Sequence, residues 1–413
     1  MKIKFDVDRL RIGMFVAELD RPWVGTPFLF QGFLIDSPED LEQLRQCCQH
    51  VFVDDQQSSR TPEIQDALRT NLGQLRSGKV RAITVEFEEW KGASNLRKTL
   101  DRLNSTVEKS RERIENVLDD VRAGKSVKQQ ETRAVISELV DNVSRSPHTA
   151  QWMTLLQTEN RKIAQHSMNV SVLATTFGRF LGWGDSLLNI VSEGALLHDT
   201  GMSRIPQWVL DKPSPLTKQE FKLVRMHADY SARLMQSAAG YDARVIEIVR
   251  HHHERIDGSG YPDGLRGHEL PGYVQLVGLV DVYESLTAEK TYAPALTPSL
   301  ALTRLHGRAD THFDRQLVQS FIRCIGIYPL SSLVRLQNGV LGIVISSQEE
   351  NRLKPVLLLV TGPGGEKLMP RRMLNLVVMD AQGVQGWGIA GIANPEEEQI
   401  DVRRILLEEF MLR

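Results

Sequence analysis

Three patterns of apolar and polar residues follow one another along the chain, and each predicts a different architecture. Over the first sixty residues, short apolar runs such as Gly13-Met14-Phe15-Val16 and Phe28-Leu29-Phe30-Gln31-Gly32-Phe33-Leu34-Ile35 alternate with turn formers. Ser37-Pro38-Glu39-Asp40 then opens a helix through Leu41, Leu44 and Cys48, and Val51-Phe52-Val53 reads as a strand. The expectation is a small α/β module over 1–60, with Trp23, Phe28, Phe30 and Phe33 supplying core rather than a ligand surface.

Residues 61–145 change character. Positions 56–80 are polar and rich in Gln, Ser and Arg, as in a linker. Leu96, Leu100, Leu103, Val107, Ile114, Val117 and Val121 then recur at steps of three, four or seven, with Ser110 interrupting the seam. That spacing predicts a long amphipathic helix ended by Gly124. Its apolar seam over 96–121 suits either a second copy of the chain, making a homodimer, or a partner surface on the same chain. A further helix is expected from about 130 to 143, before Ser146-Pro147.

From 150 to 328 the helical period dominates. Ile163, Val170, Leu173, Phe177 and Leu181 define one buried stripe, with His166 on its edge. A second helix, Leu187 to Leu197, runs into His198-Asp199-Thr200-Gly201, where the glycine is expected to stop it. Thr217-Lys218-Gln219-Glu220 is a capping box for a third helix, which should carry Leu223, His227 and Leu234 on one face. Val245, Ile248 and Val249 bring His252 to the inward side of a fourth; His253 lies roughly 100° round from it, so the two rings converge only where Asp257-Gly258, Gly260 and Pro262 end the helix. A fifth, Gln275 to Leu286, sets Asp281 beside Leu276, Val277 and Val280.

The third pattern, over 330–413, is alternation. Leu333 to Leu336 and Val340 to Ile345 flank an Asn338-Gly339 hairpin turn. Strands are expected at Pro355 to Val360 and Leu374 to Met379, and a closing helix at Ile400 to Met411. The predicted fold class is mainly α, with a small α/β N-terminal domain and a small β-rich C-terminal appendage.

Composition narrows the function. The 413 residues can hold two or three domains, and a net charge of −2 supplies no basic field for a DNA or RNA duplex. Cys47, Cys48 and Cys324 lack metal-type spacing, and an odd count argues for a reducing compartment. No apolar run approaches the ~18 residues of a membrane span and the start lacks a signal-type core, so a cytoplasmic protein is expected.

His166, His198, Asp199, His227, His252, His253 and Asp281 each lie on or at the end of a helix with an apolar face. One histidine in such a place is more often a hydrogen-bonded core residue than a ligand. Seven such positions on five helices point instead to a shared metal site. Imidazoles sharing a carboxylate suit two divalent transition ions, Fe, Mn, Ni or Zn, better than Mg or Ca. Two such ions can activate a water and hold a phosphodiester's oxygens, so phosphate-ester hydrolysis is the expected reaction. No Walker loop, nucleophile elbow or dinucleotide-binding glycine pattern competes.

These residues carry a resemblance. His198-Asp199 with Gly201 resembles the HD signature of metal-dependent phosphohydrolases, and His252-His253-Glu254-Arg255 with Asp257-Gly258-Ser259-Gly260-Tyr261-Pro262 is similar to the extended motif of the HD-GYP family. The family resemblance implies hydrolysis of cyclic di-GMP to linear pGpG and sometimes GMP, in bacterial second-messenger signalling, with protein signalling partners. It implies His166, His198, Asp199 and Asp281 around one metal, and His227, His252 and His253 around the other, with Asp199 bridging. Gly260, Tyr261 and Pro262 would form the lip of the substrate groove, or simply a tight turn; Lys290 and Tyr292 would meet substrate. Leu10-Arg11-Ile12-Gly13-Met14 and Thr26 to Phe33 resemble a domain of unknown role often found ahead of HD-GYP domains.

The chain departs from the family at its cations. Met202 stands where relatives carry Lys, Gln275 and Lys290 where they carry Arg, and Ala293 where they carry Arg or Lys; Glu284-Ser285 replaces Asp-Ala. Lys162 occupies the place of a Glu that supports a third metal in some relatives, so two ions are expected. Two further readings remain beside the enzyme: a cyclic dinucleotide receptor or protein-interaction module, and a hydrolase of pGpG or another cyclic dinucleotide.

Overall fold

The computed structural model describes residues 2–20, 33–54, 129–145, 162–238, 240–288, 295–346, 353–382 and 386–410, together with isolated positions such as 28, 58, 64 and 152. The chain divides into two compact units, Met1–Glu88 and Glu89–Arg413. The seven apolar positions of the 96–121 seam, and Gly124, lie outside the described residues.

The first unit is an antiparallel sheet of β1 (Lys2–Asp6), β2 (Phe15–Leu19), β3 (Phe33–Leu34) and β4 (His50–Asp54), in the order β1-β4-β2-β3, with α1 (Pro38–Cys47) between β3 and β4 in sequence. Ile3 and Phe5, and Val51 and Val53, alternate with less buried neighbours and enclose a core that includes Leu44 of α1. Ser37 and Asp40 cap α1 reciprocally. Phe28 stacks on Phe33 at 4.7 Å. Both are only half-buried, because β3 is a two-residue edge strand, so at these positions the aromatic residues are not enclosed core. Trp23 and Phe30 lie outside the described residues.

The second unit is helical through α2 (Gln129–Arg145), α3 (Lys162–Phe180), α4 (Asp185–Leu197), α5 (Gln207–Leu210), α6 (Lys218–Ser237), α7 (Ala243–His251), α8 (Gly272–Thr287), α9 (Pro298–His306) and α10 (Arg315–Ile325). Helix α3 is its axis. The expected stripe is in fact a helix buried on every side from Ser167 to Gly178, because α2, α4, α8 and α10 all pack against it. Its enclosed hydroxyls are satisfied locally: Ser171 donates to the Ser192 carbonyl at 2.8 Å and Thr175 to the Ser171 carbonyl at 2.7 Å.

Two expectations about helix ends and faces are corrected here. Helix α4 ends at Leu197, ahead of Gly201, which lies inside a short 3-10 helix, Thr200–Arg204. Gly201 is there because the backbones touch: a Cβ would come within 2.1 Å of the His227 carbonyl oxygen and 2.7 Å of the Ser231 nitrogen on α6. Its own N–H donates to Ser231 Oγ at 2.7 Å. On α6 the buried face is His227, Ala228, Ser231, Ala232 and Met235, whereas Leu223 is exposed. The contacts made by the 3-10 segment fall at His227 and Ser231, a turn beyond Leu223.

Helix α2 docks on α4 through Thr132, Ile136, Leu139, Val140 and Val143. Near this seam Glu193 is enclosed with its Oε1 lacking a hydrogen-bond partner. Burial first, and Asp242 after it, push the Glu193 carboxyl from 4.5 up to about 7, against the pull of Arg133. An acid whose pKa is raised by folding binds its proton more tightly in the native state, so stability is highest below the unfolded value and falls as pH rises from about 4.5 to 7. Glu193→Gln should therefore gain on the wild type across that window, by up to about 2–3 kcal/mol above pH 7, with the difference level thereafter. Denaturant melts at pH 5 and pH 8 measure it; an unchanged gap between the two proteins would refute the assignment.

Beyond α10 an antiparallel sheet of β5 (Leu333–Leu336), β6 (Leu341–Ser346), β7 (Val356–Thr361), β8 (Lys367–Asn375) and β9 (Ile389–Ile392) runs in the order β8-β7-β6-β5-β9. Gly339, at φ +87°, makes the turn between β5 and β6. The strand expected at Leu374 to Met379 stops at Asn375, whose side chain accepts from Val377 N–H at 3.0 Å and caps α11 (Leu376–Ala381). Helix α12 (Val402–Phe410) closes the fold. Trp152 lies edge-on to Phe410 at 5.3 Å and donates its indole N–H to the Ile345 carbonyl at 3.1 Å. No helix among the described residues is long and apolar enough to cross a membrane.

Candidate metal centre

Five segments of the helical unit meet at one place. Helix α3 contributes His166; the C-terminal end of α4 contributes His198 and, one residue on, Asp199; α6 contributes His227; the end of α7 contributes His252 and His253; and α8 contributes Asp281. The sequence places these residues on separate elements, and the structure brings all seven together.

The two oxygens of Asp199 face different rings. Its Oδ2 lies 3.5 Å from His198 Nε2 and 3.7 Å from His166 Nε2. Its Oδ1 lies 3.3 Å from His227 Nε2 and 4.0 Å from His252 Nε2. Asp281 spans a second gap, with Oδ1 3.1 Å from His166 Nε2 and Oδ2 3.8 Å from His253 Nδ1. Asp199, His227, His252 and His253 form one group able to hold a metal ion, and His166, His198 and Asp199 another, each with donor atoms within 4.8 Å of one another.

Backbone carbonyls fix which nitrogen of each ring points inward. The Nδ1–H of His198 donates to the Ala195 carbonyl at 2.7 Å, that of His227 to Val224 at 2.7 Å, and that of His252 to Val249 at 2.9 Å. A carbonyl can only accept, so each Nδ1 carries the hydrogen and each Nε2 keeps its lone pair for the centre. The Nε2 atoms of His227 and His252 are 3.3 Å apart, as are those of His166 and His198. Facing lone pairs at that distance repel unless a cation or proton lies between them, and on that ground the donor set fits metal ions.

The electrostatics agree. Burial first, then neighbouring imidazoles, hold His252 and His253 well below the usual histidine range, so both rings are neutral. Burial works against charge on His166, but the Glu284 and Asp281 carboxylates outweigh it and hold that ring well above its ordinary pKa. Asp281, despite its burial, is held below the usual carboxylate range by His166, with His198 and His252 assisting. The carboxylates draw positive charge toward the centre.

The family model described as an HD domain matches residues 150–317, and that described as a domain of unknown function, DUF3391, matches residues 2–132. Residues 150–317 form an HD domain. A cyclic di-GMP phosphodiesterase of Pseudomonas aeruginosa is 28% identical over 375 residues, 90% of this chain and 88% of the relative. The cyclic di-GMP phosphodiesterase response regulator RpfG of Xanthomonas campestris is 34% identical over 144 residues, 35% of this chain and 38% of the relative. Among solved structures, an HDGYP protein from Bdellovibrio bacteriovorus superposes with a TM-score of 0.46 at 18% identity, covering 78% of this chain and 98% of that one.

At the mouth of the HD domain's centre, the Tyr261 ring lies 4.7 Å from that of His253 and 6.4 Å from that of His227. Gly260 lets this lip fold back, since a Cβ would come within 2.4 Å of Glu254 Cα. Tyr261-Pro262 is a cis peptide. Gln275 turns its amide to the Leu270 carbonyl at 2.9 Å. Lys290, Tyr292 and Ala293 lie outside the described residues, as does the Lys162 side chain.

Sequence reasoning overlooked three supporting groups in the HD domain. Glu284, buried one turn beyond Asp281, accepts from His166 Nδ1 at 2.5 Å and from Asn169 Nδ2 at 2.7 Å. Its signal was an acid three residues from a candidate ligand on an apolar helix. Asn169, one turn beyond His166, completes that network. Glu254, also buried, accepts from the backbone N–H groups of Asp263, Gly264 and Leu265 at 2.6, 2.9 and 3.1 Å, tying this turn to the end of α7 beside His252 and His253.

Proposed function

We propose that the HD domain hydrolyses cyclic di-GMP to linear pGpG, using two divalent transition ions, Fe, Mn or Ni. The observation that carries this reading is Asp199, whose two carboxylate oxygens face different pairs of imidazole nitrogens, the arrangement a carboxylate shared by two ions requires. In this reading His166, His198, Asp199 and Asp281 hold one ion, and His227, His252 and His253 the other. Bound there, the ions supply Lewis acidity for activating water and neutralising a phosphodiester. The chain's own residues orient the rings through Nδ1, keep His252 and His253 neutral, and close one side with Tyr261. The choice of cyclic di-GMP rests on relatives that bear that substrate in their names, one of them aligned over most of both chains.

The test is to purify the full chain with Mn or Fe, quantify bound metal, and follow cyclic di-GMP by chromatography. Appearance of pGpG in the loaded protein and its loss on chelation are expected. Intact cyclic di-GMP after prolonged incubation with metal-loaded protein would sink the enzyme reading, and tight binding without turnover would make the domain a receptor.

A further inference from the structure

We infer that Arg225 anchors a substrate phosphate at the mouth of the metal centre, an inference that deepens the phosphodiesterase reading and rests on it. Arg225 lies on α6 two residues before His227 and is exposed. Its guanidinium carbon sits 4.6 Å from the Tyr261 ring centre and 4.9 Å from that of Phe221. Tyr261 in turn packs 4.7 Å from His253, so the cation is one aromatic ring away from the imidazole cluster.

A guanidinium lying over aromatic faces is held without spending its N–H groups, which stay available to an acceptor. Other arginines near this lip are already committed. Arg250 binds Asp229 at 3.1 Å and Asp263 at 2.7 and 3.0 Å, and Arg255 donates to the His252 and Glu254 carbonyls at 3.0 and 2.7 Å. Among the described residues no carboxylate pairs with Arg225. Phe221, 44% exposed on the same helix, has its exposure explained as part of the platform that fixes the guanidinium.

Among the described residues, two further positions bring no cation to the centre. Met202 brings no charge next to the His198-Asp199 pair, and Gln275 is turned to backbone. A planar fork held against two rings donates to a phosphate's two non-bridging oxygens at a lower ordering cost than a free side chain. The chemistry recognised is a phosphodiester monoanion, whichever base it carries.

Steady-state kinetics of the metal-loaded full chain test this with two substrates, cyclic di-GMP and bis(p-nitrophenyl) phosphate, a diester without a nucleobase. Arg225→Ala should raise KM for both by about tenfold to a hundredfold, the loss of a charge-assisted hydrogen-bonded pair, while kcat changes by less than about threefold and metal content stays the same. Arg225→Lys, which keeps charge without the fork, should recover only part of the loss. Wild-type KM should also rise with salt more steeply than that of Arg225→Ala. A KM for Arg225→Ala within about twofold of wild type on both substrates overturns the inference. If wild type cleaves only the simple diester, the cyclic di-GMP reading fails while the anchor is still judged by the KM ratio on that diester; if it cleaves neither, both fall.

Discussion

Asp199→Ala is expected to abolish turnover and to empty both halves of the centre together. Among the described residues, this carboxylate is the one within reach of His166 and His198 through one oxygen and of His227 and His252 through the other. Its removal takes away the carboxylate that lies between the two groups of imidazoles and leaves Asp281 as the carboxylate facing them. Metal content should fall from about two equivalents to well below one, and kcat by on the order of a thousandfold or more. Asp199→Asn preserves shape and removes charge; it should behave much like the alanine variant. Elemental analysis alongside cyclic di-GMP chromatography measures both effects. Full metal occupancy in Asp199→Ala would show that this carboxylate does not bridge.

Glu284→Gln should weaken metal binding by about tenfold to a hundredfold without destroying the reaction. Glu284 lies behind His166, accepting its Nδ1–H and the Asn169 amide, so the ring is held by a charged group at one end and presents Nε2 to Asp199 and Asp281 at the other. A neutral amide keeps the volume but weakens the pull on the Nδ1–H that would make His166 a strong ligand. Titration against a competing chelator reads the affinity directly, and turnover should largely return at saturating metal, which separates positioning from chemistry. Asn169→Ala, which leaves Glu284 one hydrogen bond short, should show the same pattern at smaller amplitude. An unchanged affinity in Glu284→Gln would mean that His166 is held by packing alone.

Much of the fold was legible where local signals are strong. Reciprocal caps at Ser37 and Thr217 mark where α1 and α6 begin, and the glycine after Asn338 makes the hairpin turn. Signals that depend on distant neighbours misled. Gly201 resembles a helix stop yet serves a backbone contact with α6, and Leu223 keeps the helical spacing of a buried residue although it is exposed. Asn375 ends a strand by capping the next helix, where apolar residues continue without a break and periodicity alone cannot separate the two.

The sequence alone singled out the seven residues that the structure brings together, because a histidine or aspartate on an apolar helical face is costly unless something binds it, and seven recurred. It also determined the charge deficit around them, since Met202 and Gln275 are visible as letters. Only the tertiary structure decided how they act. Which oxygen of Asp199 meets which ring, which nitrogen each ring turns inward, that Glu284 holds His166 from behind and that Arg225 lies over Tyr261 are consequences of packing among α3, α4, α6, α7 and α8. Direction and distance between side chains on different helices are set by that packing, and no spacing along one chain encodes them.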